Sequence, residues 1–377
     1  MDSAIDRIYS NYFRENENAL SDKNILFLIN KIYDIVTISI DDNVTKNYII
    51  NRIKKINEYK KKLELCKDIP VIVQRTDEWF TARKNMITAS DMAQALNKGK
   101  FGNQKDFIIK KVDKLKSNEN VYHNTDNPIL LWGVRYEEVA NRIYMKRNNV
   151  DVYEFGLIKH PNYDYFGASP DGISNLGIML EIKCPPKRQI TGAIPEQYWM
   201  QMQGQLEVCN LDECDYLECK FSEYKTEIEF MNDKNPSNDK LSNDLKEKGI
   251  IIEINNDNGT KYEYSNLDMS MEEVLSWKSN TLSNLDITDE YKIYYWKLTE
   301  YFCKRVKRDI NFFEENIKNL EFLWNKIKYY ANDENKNEYM KNIINNKNKK
   351  GEIFNFNKNT TNNITGFAFK KIKSDII

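Results

Sequence analysis

A short apolar segment that contains two opposite charges, GIMLEIKC at residues 177–184, constrains this chain more than any other feature. Glu181 and Lys183 stand two positions apart in it. Residues two apart on a β-strand point to the same face of a sheet. Because a strand this apolar is expected to be buried, and a buried charge needs a partner or a metal ion, the segment predicts a strand that directs both charges into one lined site.

A second carboxylate, Asp171, precedes this strand in an Asp-Gly turn. A hairpin between Asp171 and Glu181 would place the two carboxylates side by side. Carboxylate and carbonyl oxygens suit Mg²⁺, with Mn²⁺ as a substitute, so we expect Asp171, Glu181 and the backbone carbonyl of Ile182 to bind such an ion. The ion would polarise a phosphodiester and activate water, and Lys183 would hold that water and offset developing negative charge.

A solvent-exposed alternative exists for the same residues. An Asp-Gly turn followed by a strand with alternating charges is common on protein surfaces, and the spacing of Asp171, Glu181 and Lys183 alone is found in many unrelated proteins. The apolar residues around the two charges of the strand favour a functional site.

The order of predicted elements indicates an α/β (α+β) fold with a mixed central sheet and helices on both faces. We predict helices over residues 127–146 and 195–208, with Pro128 and Pro195 in their first turns. Strand-like runs lie between them (VYEFGLIKH, DYFGASP and GIMLEIKC), and two more follow (DYLECKF and TEIEFM). GIIIEINN and KYEYSN are interpreted as a further pair of strands.

The chain divides into four predicted regions. Residues 1–70 are expected to be helical, residues 71–268 to form the core domain, and residues 269–331 to be helical again. Residues 332–377 form a tail rich in Asn and Lys that we expect to be partly mobile.

Composition narrows the setting of the protein. The 377 residues have a formal net charge of -1, which neither indicates nor excludes a nucleic-acid binder. No apolar run is long enough to span a bilayer and no signal pattern opens the chain, so we expect a soluble intracellular protein. Cys209, Cys214 and Cys219 lack the tight pair typical of metal clusters, and we interpret them as buried thiols.

Four blocks follow one another along the chain: WFTARKNMITASD (79–91), LLWGVRYEEVANRIY (130–144), FGASPDGI with MLEIKCP (166–185) and YWMQMQGQLEV (198–208). In this order they resemble the lambda-exonuclease/YqaJ-type viral recombinase family of PD-(D/E)XK nucleases. The resemblance implies a restriction-endonuclease-like core. The added helical N- and C-terminal regions predicted for this chain have no counterpart in the matched blocks.

The resemblance also implies roles for single residues. Asp171 and Glu181 would bind metal, with two ions per site, and Lys183 would position or activate water. Glu137, rather than Glu138 beside it, would approach the metals from a neighbouring helix. Gln201 would face the active centre.

Further matches concern DNA. Gln203 matches a second glutamine of the same helix and is assigned to DNA binding. Arg83 and Ser90 match an arginine and a serine that hold a terminal 5′-phosphate, which a guanidinium and a hydroxyl at a helix start can do. An alternative for Ser90 is a helix N-cap alone.

These roles imply a Mg²⁺-dependent 5′-to-3′ exonuclease that acts on double-stranded DNA with free ends, in viral-type recombination or repair. A single-strand annealing protein would be its partner, a ring trimer its assembly, and the cytoplasm or nucleus of an infected host its location if it is viral. The alternatives are a structure-specific or nicking endonuclease of the same fold and a non-catalytic DNA-binding or interaction module.

Overall fold

A computed structural model of the protein describes residues 2–15, 27, 32, 42–70, 72–117, 127–256 and 259–344. The helices are α1 (Asp2–Glu15), α2 (Asp42–Lys67), α3 (Asp77–Lys84), α4 (Met92–Ala95), α5 (Gln104–Lys116), α6 (Pro128–Asn148), α7 (Glu196–Val208), α8 (Glu227–Asn232), α9 (Met271–Ser283), α10 (Ile310–Ala331) and α11 (Lys336–Tyr339). Short 3₁₀ turns cover Ala89–Asp91 and Asp333–Asn335, and a π turn covers Met340–Ile344.

The strands form two sheets. They are β1 (Ile87–Thr88), β2 (Val152–Tyr153), β3 (Ile158–Lys159), β4 (Phe166–Ala168), β5 (Gly172–Ser174), β6 (Met179–Lys183), β7 (Glu213–Tyr224), β8 (Lys248–Asn256), β9 (Gly259–Tyr264) and β10 (Glu290–Lys307). The large sheet has the order β2-β5-β6-β7-β10-β8-β9, and a small one has the order β1-β4-β3. In the large sheet β6 and β7 are parallel and α7 connects them, whereas the other pairs are antiparallel.

Helices cover both faces of the large sheet. Met179 of β6 belongs to the same buried cluster as residues of α5, α7 and α10. Its neighbour Leu180 belongs to a second cluster with residues of α1, α2 and α6. Because successive strand residues point to opposite faces, the two clusters lie on opposite sides of the sheet. The predicted mixed sheet with helices on both faces is confirmed.

The two helices that border the candidate site begin close to where the sequence predicts. In α6 the side chain of Asn127 accepts a hydrogen bond from the backbone of Ile129 at 3.0 Å, Pro128 occupies the first turn, and Asn149 ends the helix with φ of 52°. Pro195 is the N-cap of α7. The first turn of a helix leaves backbone N–H groups without a partner in the helix. The Asn127 side chain accepts a hydrogen bond from one of them, and a proline has no N–H that needs a partner.

Two secondary-structure predictions are wrong. Residues 269–331 are not helical throughout, because Glu290–Lys307 forms β10 in the interior of the large sheet between β7 and β8. Tyr294, Trp296 and Leu298 are buried at every second position, which is the period of a strand. TEIEFM is helix α8 rather than a strand, and Thr226 caps it.

In the predicted helical region of residues 1–70, α1 and α2 are helical, whereas residues 16–26, 28–31 and 33–41 lie outside the described residues. Cys209, Cys214 and Cys219 are buried thiols, as predicted. The expected tail contains helical turns up to residue 344, and the rest of it lies outside the described residues. No helix in the described ranges is both long and apolar enough to cross a membrane.

A buried ionic network joins the N-terminal helices to the sheet. Arg52 of α2 donates to Asp6 of α1 at 2.7 Å and to Glu213 of β7 at 2.8 Å. Arg305 of β10 donates to Glu213 at 2.6 Å and to Asp215 at 2.6 Å. Arg52 and Glu213 are 3% and 2% exposed, so these charges are stabilised by one another instead of by water.

Helix α2 also touches the hairpin that leads into β6. Gly177, in the turn between β5 and β6, has φ of 73°, and a Cβ there would lie 2.3 Å from the carbonyl oxygen of Tyr59. Only glycine tolerates both the left-handed backbone and this close approach. The N-terminal region is therefore packed directly against the strand pair that positions the candidate site.

We predict that Arg52→Ala lowers the free energy of unfolding by about 3–5 kcal/mol, because it leaves Asp6 and Glu213 buried with fewer partners. Lys62→Ala is the matched control, since it removes a partly exposed pair between the same helix and Asp212. The control should cost at most about 1 kcal/mol. Urea titrations measure both values, and equal losses would contradict the structural role assigned to the network.

Candidate active site

Asp171 lies in the turn between β4 and β5, beside strand β6. Its Oδ2 accepts a hydrogen bond from the backbone N–H of Ile182 at 2.6 Å. Burial, followed by the neighbouring carboxylates of Glu181 and Glu137, holds the pKa of Asp171 well above its ordinary value. The turn and strand β6 therefore bring Asp171 and Glu181 together, as the sequence predicts.

Glu181 is fully buried and has a partner for each carboxylate oxygen. The ammonium of Lys183 donates to Oε1, and the side-chain amide of Gln205 on α7 donates to Oε2 at 2.7 Å. The same amide lies 3.4 Å from the carbonyl oxygen of Ser169, two residues before Asp171. Gln205 thus connects α7 to both segments that supply the carboxylates.

Lys183 lies between the carboxylates and the ring of Tyr198 on α7. Its Nζ is 5.0 Å from the centre of that ring. Burial lowers the pKa of Lys183, but the carboxylates of Glu181 and Asp171 outweigh burial and hold the pKa above its ordinary value. The ammonium is therefore a fixed positive charge beside two negative ones.

Glu137 reaches the same cluster from α6. Burial raises its pKa above the ordinary value, while Arg75 and Lys183 act in the opposite direction. Arg75 Nη2 lies 3.9 Å from Glu137 Oε1. Glu138, the alternative to Glu137, pairs instead with Arg142 one helical turn away at 2.5 Å.

A cleft of about 400 Å³ opens next to these residues. Asp171, Glu137 and Ile182 line it, together with Arg75. This volume lies within the range of about 300–1,000 Å³ that is typical of ligand sites. The site is thus reached from the surface through a cavity with acidic and basic walls.

The residues fit a hard divalent cation. Within the described part of the chain, His, Cys, Asp and Glu side chains form no group of three that could hold a metal ion. Mg²⁺ does not require such a group, because it keeps several waters and uses one or two carboxylates. The crowding of Glu181, Asp171 and Glu137 provides the excess negative charge that such an ion would neutralise.

Arg83 and Ser90 also come together. Arg83 Nη2 donates to Ser90 Oγ at 3.1 Å, and the guanidinium lies 4.3 Å from the ring centre of Trp79. Trp79 Nε1 donates to Ser169 Oγ at 3.1 Å, which ties this pair to the turn that contains Asp171. Ser90 does not act as an N-cap, since Thr88 caps the 3₁₀ turn and Asp91 precedes α4.

A second cavity of about 150 Å³ lies beside Ser90. Tyr198 and Gln201 of α7 and Lys100 also line it. It shares no lining residue with the larger cleft. Lys183 does not line it, but the Lys183 ammonium contacts the ring of Tyr198, which does. Residues of the candidate site therefore line two separate cavities.

The glutamines of α7 differ in position from the sequence-based prediction. Gln201 lines the cavity of Ser90, whereas Gln205, one turn further on, is the residue that bonds Glu181. The assignment of Gln203 to DNA binding is wrong. It is 1% exposed, its amide donates to the carbonyl of Lys307 at 3.1 Å, and its Oε1 accepts from the backbone of Asp309 at 2.6 Å.

Sequence reasoning missed Gln205 and Arg75. Gln205 follows Gln201 by four residues, and this helical spacing could have revealed it. Arg75 has φ of 66°, a left-handed conformation that is unusual for an arginine and that no sequence signal indicates. Such strain is common at functional sites.

Comparisons with known proteins agree with the predicted family. Residues 78–212 match the family model of the YqaJ-like viral recombinase domain. These residues contain Arg83, Ser90 and Glu137, Asp171 in the turn before β5, Glu181 on β6, and helix α7. Residues 78–212 are therefore similar to the YqaJ-like viral recombinase domain, and the predicted family resemblance is confirmed.

A curated relative is an uncharacterised protein, R354, of Acanthamoeba polyphaga mimivirus. It is 29% identical over 316 residues, which are 73% of this chain and 56% of the relative. The chain thus spans little more than half the length of that protein.

Two solved structures are similar at lower identity. An alkaline exonuclease from Laribacter hongkongensis is 20% identical with a TM-score of 0.43, over 71% of this chain and 99% of that chain. A phage-related exonuclease from Haemophilus somnus is 11% identical with a TM-score of 0.34, over 65% of this chain and 93% of that chain.

We predict that Mg²⁺ raises the melting temperature of the protein and that Asp171→Asn abolishes this shift. A cation that binds only the folded state at 100 times its dissociation constant contributes about 2.7 kcal/mol. Without Mg²⁺ the variant should melt at or above the wild-type temperature, because one crowded negative charge is gone. Asp164→Asn, in the exposed turn before β4, is the control that keeps the shift. An unchanged shift in Asp171→Asn would argue against the proposed cation site.

Proposed function

We propose that this chain is a metal-dependent DNA nuclease, and that it acts as a 5′-to-3′ exonuclease on double-stranded DNA ends. The observation that carries the proposal is that Asp171, Glu181 and Lys183 lie together and that Asp171 lines an open cleft. The matching domain of residues 78–212 supports the same function.

Each residue of the site has a separate role in phosphodiester hydrolysis. Asp171 and Glu181 would hold Mg²⁺, which when bound polarises the phosphodiester and makes water a better nucleophile. Lys183, whose ammonium is fixed by Glu181, donates a hydrogen bond to the attacking water and offsets charge on the phosphate. Gln205 keeps Glu181 in one orientation, since it occupies the second carboxylate oxygen.

The preference for an end rests on Arg83 and Ser90. A guanidinium and a hydroxyl 3.1 Å apart can bind phosphate oxygens together. The adjacent cavity of about 150 Å³ would hold the terminal 5′-phosphate while the next phosphodiester meets the carboxylates. Two predictions from the sequence are retained. The partner is an annealing protein that receives the remaining strand, and the assembly is a ring trimer.

We expect Lys183→Ala to lower the cleavage rate of linear duplex DNA by about 10²–10³, because it removes a preorganised positive charge. Asp171→Asn should lose at least as much, and EDTA should abolish cleavage by the wild type. Lys159→Ala changes an exposed lysine on β3 of the small sheet and serves as the control with unchanged rate. Melting curves separate lost chemistry from lost fold, and a folded Lys183→Ala enzyme with the wild-type rate would refute the assignment.

We further expect the wild type to degrade a 5′-phosphorylated linear duplex faster than the same duplex with a 5′-hydroxyl, and to leave closed circles intact. Ser90→Ala should slow digestion of the phosphorylated duplex alone, since the hydroxyl substrate has no phosphate to hold. Time courses with 5′- and 3′-labelled strands measure both rates and polarity. Equal digestion of closed circles would favour a nicking endonuclease instead.

A further inference from the structure

Two tyrosines from outside the matched domain form part of the wall of the large cleft. Tyr262 and Tyr264 of β9 line the same cavity as Asp171 and Glu137. They stand two positions apart on the edge strand of the large sheet, so both project from one face. Each is partly buried and partly exposed, which leaves aromatic surface open to the cleft.

The tyrosines are held in place by the helix that supplies Glu137. Tyr264 Oη donates to the backbone carbonyl of Arg135 at 3.2 Å, and the guanidinium of Arg142 lies 5.1 Å from the ring centre. The Arg135 side chain in turn donates to Tyr294 Oη at 2.8 Å. Because Arg135 precedes Glu137 by two residues on α6, the aromatic wall and the acidic cluster are fixed relative to each other.

The two rings have the chemistry of a stacking surface. Their centres are 6.4 Å apart, and their planes are inclined by 39°. Aromatic side chains in single-strand binding sites stack on bases with little regard to sequence, since every base has a π-face. A paired base inside a duplex has no free face for such contact, so the wall suits an unpaired base.

The cleft also provides a positive charge for a nucleotide. Arg75 lines it, its side chain is 54% exposed, and its guanidinium lies 3.9 Å from Glu137. A cavity of about 400 Å³ that joins an arginine, two tyrosines and a carboxylate cluster matches a nucleotide with its phosphate, sugar and base.

We infer that Tyr262 and Tyr264 hold an unpaired nucleobase of the DNA strand that passes the carboxylates, and that Arg75 contacts a neighbouring phosphate. The inference rests on the proposed nuclease function and adds to it a preference for strands that are unpaired next to the reacting phosphodiester. β9 lies outside residues 78–212, so this preference comes from an addition to the matched domain.

The test uses the full chain with Lys183→Ala as a background that binds DNA and cuts it about 10²–10³ times more slowly than the wild type. A single-stranded oligonucleotide containing 2-aminopurine reports stacking through loss of its fluorescence. Tyr262→Leu/Tyr264→Leu should weaken binding by about ten-fold and restore the fluorescence, because stacking contributes this order of affinity per base. Tyr262→Phe/Tyr264→Phe keeps both rings and should retain the quenching.

Two controls make the outcome specific. Tyr291→Leu changes a half-exposed tyrosine of β10 that does not line the cleft, and it should bind and quench as the background does. In the enzyme that keeps Lys183, the double variant Tyr262→Leu/Tyr264→Leu should raise KM for DNA with unpaired ends far more than it lowers kcat. A merely structural role for the tyrosines would instead lower the melting temperature and affect all substrates equally.

The possible failures are distinguishable. Unchanged binding and quenching in the folded Leu variant would overturn the stacking surface while wild-type cleavage leaves the nuclease intact. A wild type that neither binds nor cleaves DNA in Mg²⁺ would overturn both the proposed function and this inference.

Discussion

The buried carboxylate of Glu181 is the constraint on which the rest of the site depends. A fully buried charge is costly unless both its oxygens have partners, and here Lys183 and Gln205 supply them. Because Gln205 also approaches the carbonyl of Ser169, one interaction network sets the position of β6, of α7 and of the turn that contains Asp171. The geometry that we propose for phosphodiester hydrolysis therefore depends on the hydrogen bonds that stabilise one buried charge.

Elements from most of the described chain contribute to this centre. Helix α2 presses on the hairpin at Gly177, α6 supplies Glu137, and β9 supplies tyrosines to the cleft wall. The buried network around Arg52 and Arg305 fastens the N-terminal helices to β7, the strand that runs parallel to β6. The regions before and after residues 78–212 are thus part of the same packed unit, and they shape the walls of the cleft as well as its support.

Local sequence patterns were sufficient to predict an element when the residues that specify it lie within or next to that element. The apolar strand with Glu181 and Lys183, the capped start of α6 and the Pro195 start of α7 were all predictable, since each depends on residues close together in sequence. Strand β10 was not recognised, because its dense aromatic residues also suit a helical stripe and its eighteen residues exceed an ordinary strand. Gln203 was misassigned for a related reason: the motif identifies the helix but not which face of it meets the sheet.

The sequence by itself determined the chemistry, namely two carboxylates and an amine on a turn and a strand, with an arginine and a serine upstream. Only the tertiary structure decided which partners complete that chemistry. Gln205 instead of Gln201 faces Glu181, Arg75 reaches Glu137 from a left-handed turn, and Tyr262 and Tyr264 arrive from the far edge of the sheet. The physical reason is that strand and helix periods set the direction of a side chain within its own element. The meeting of two elements depends on packing between residues that lie far apart in the chain.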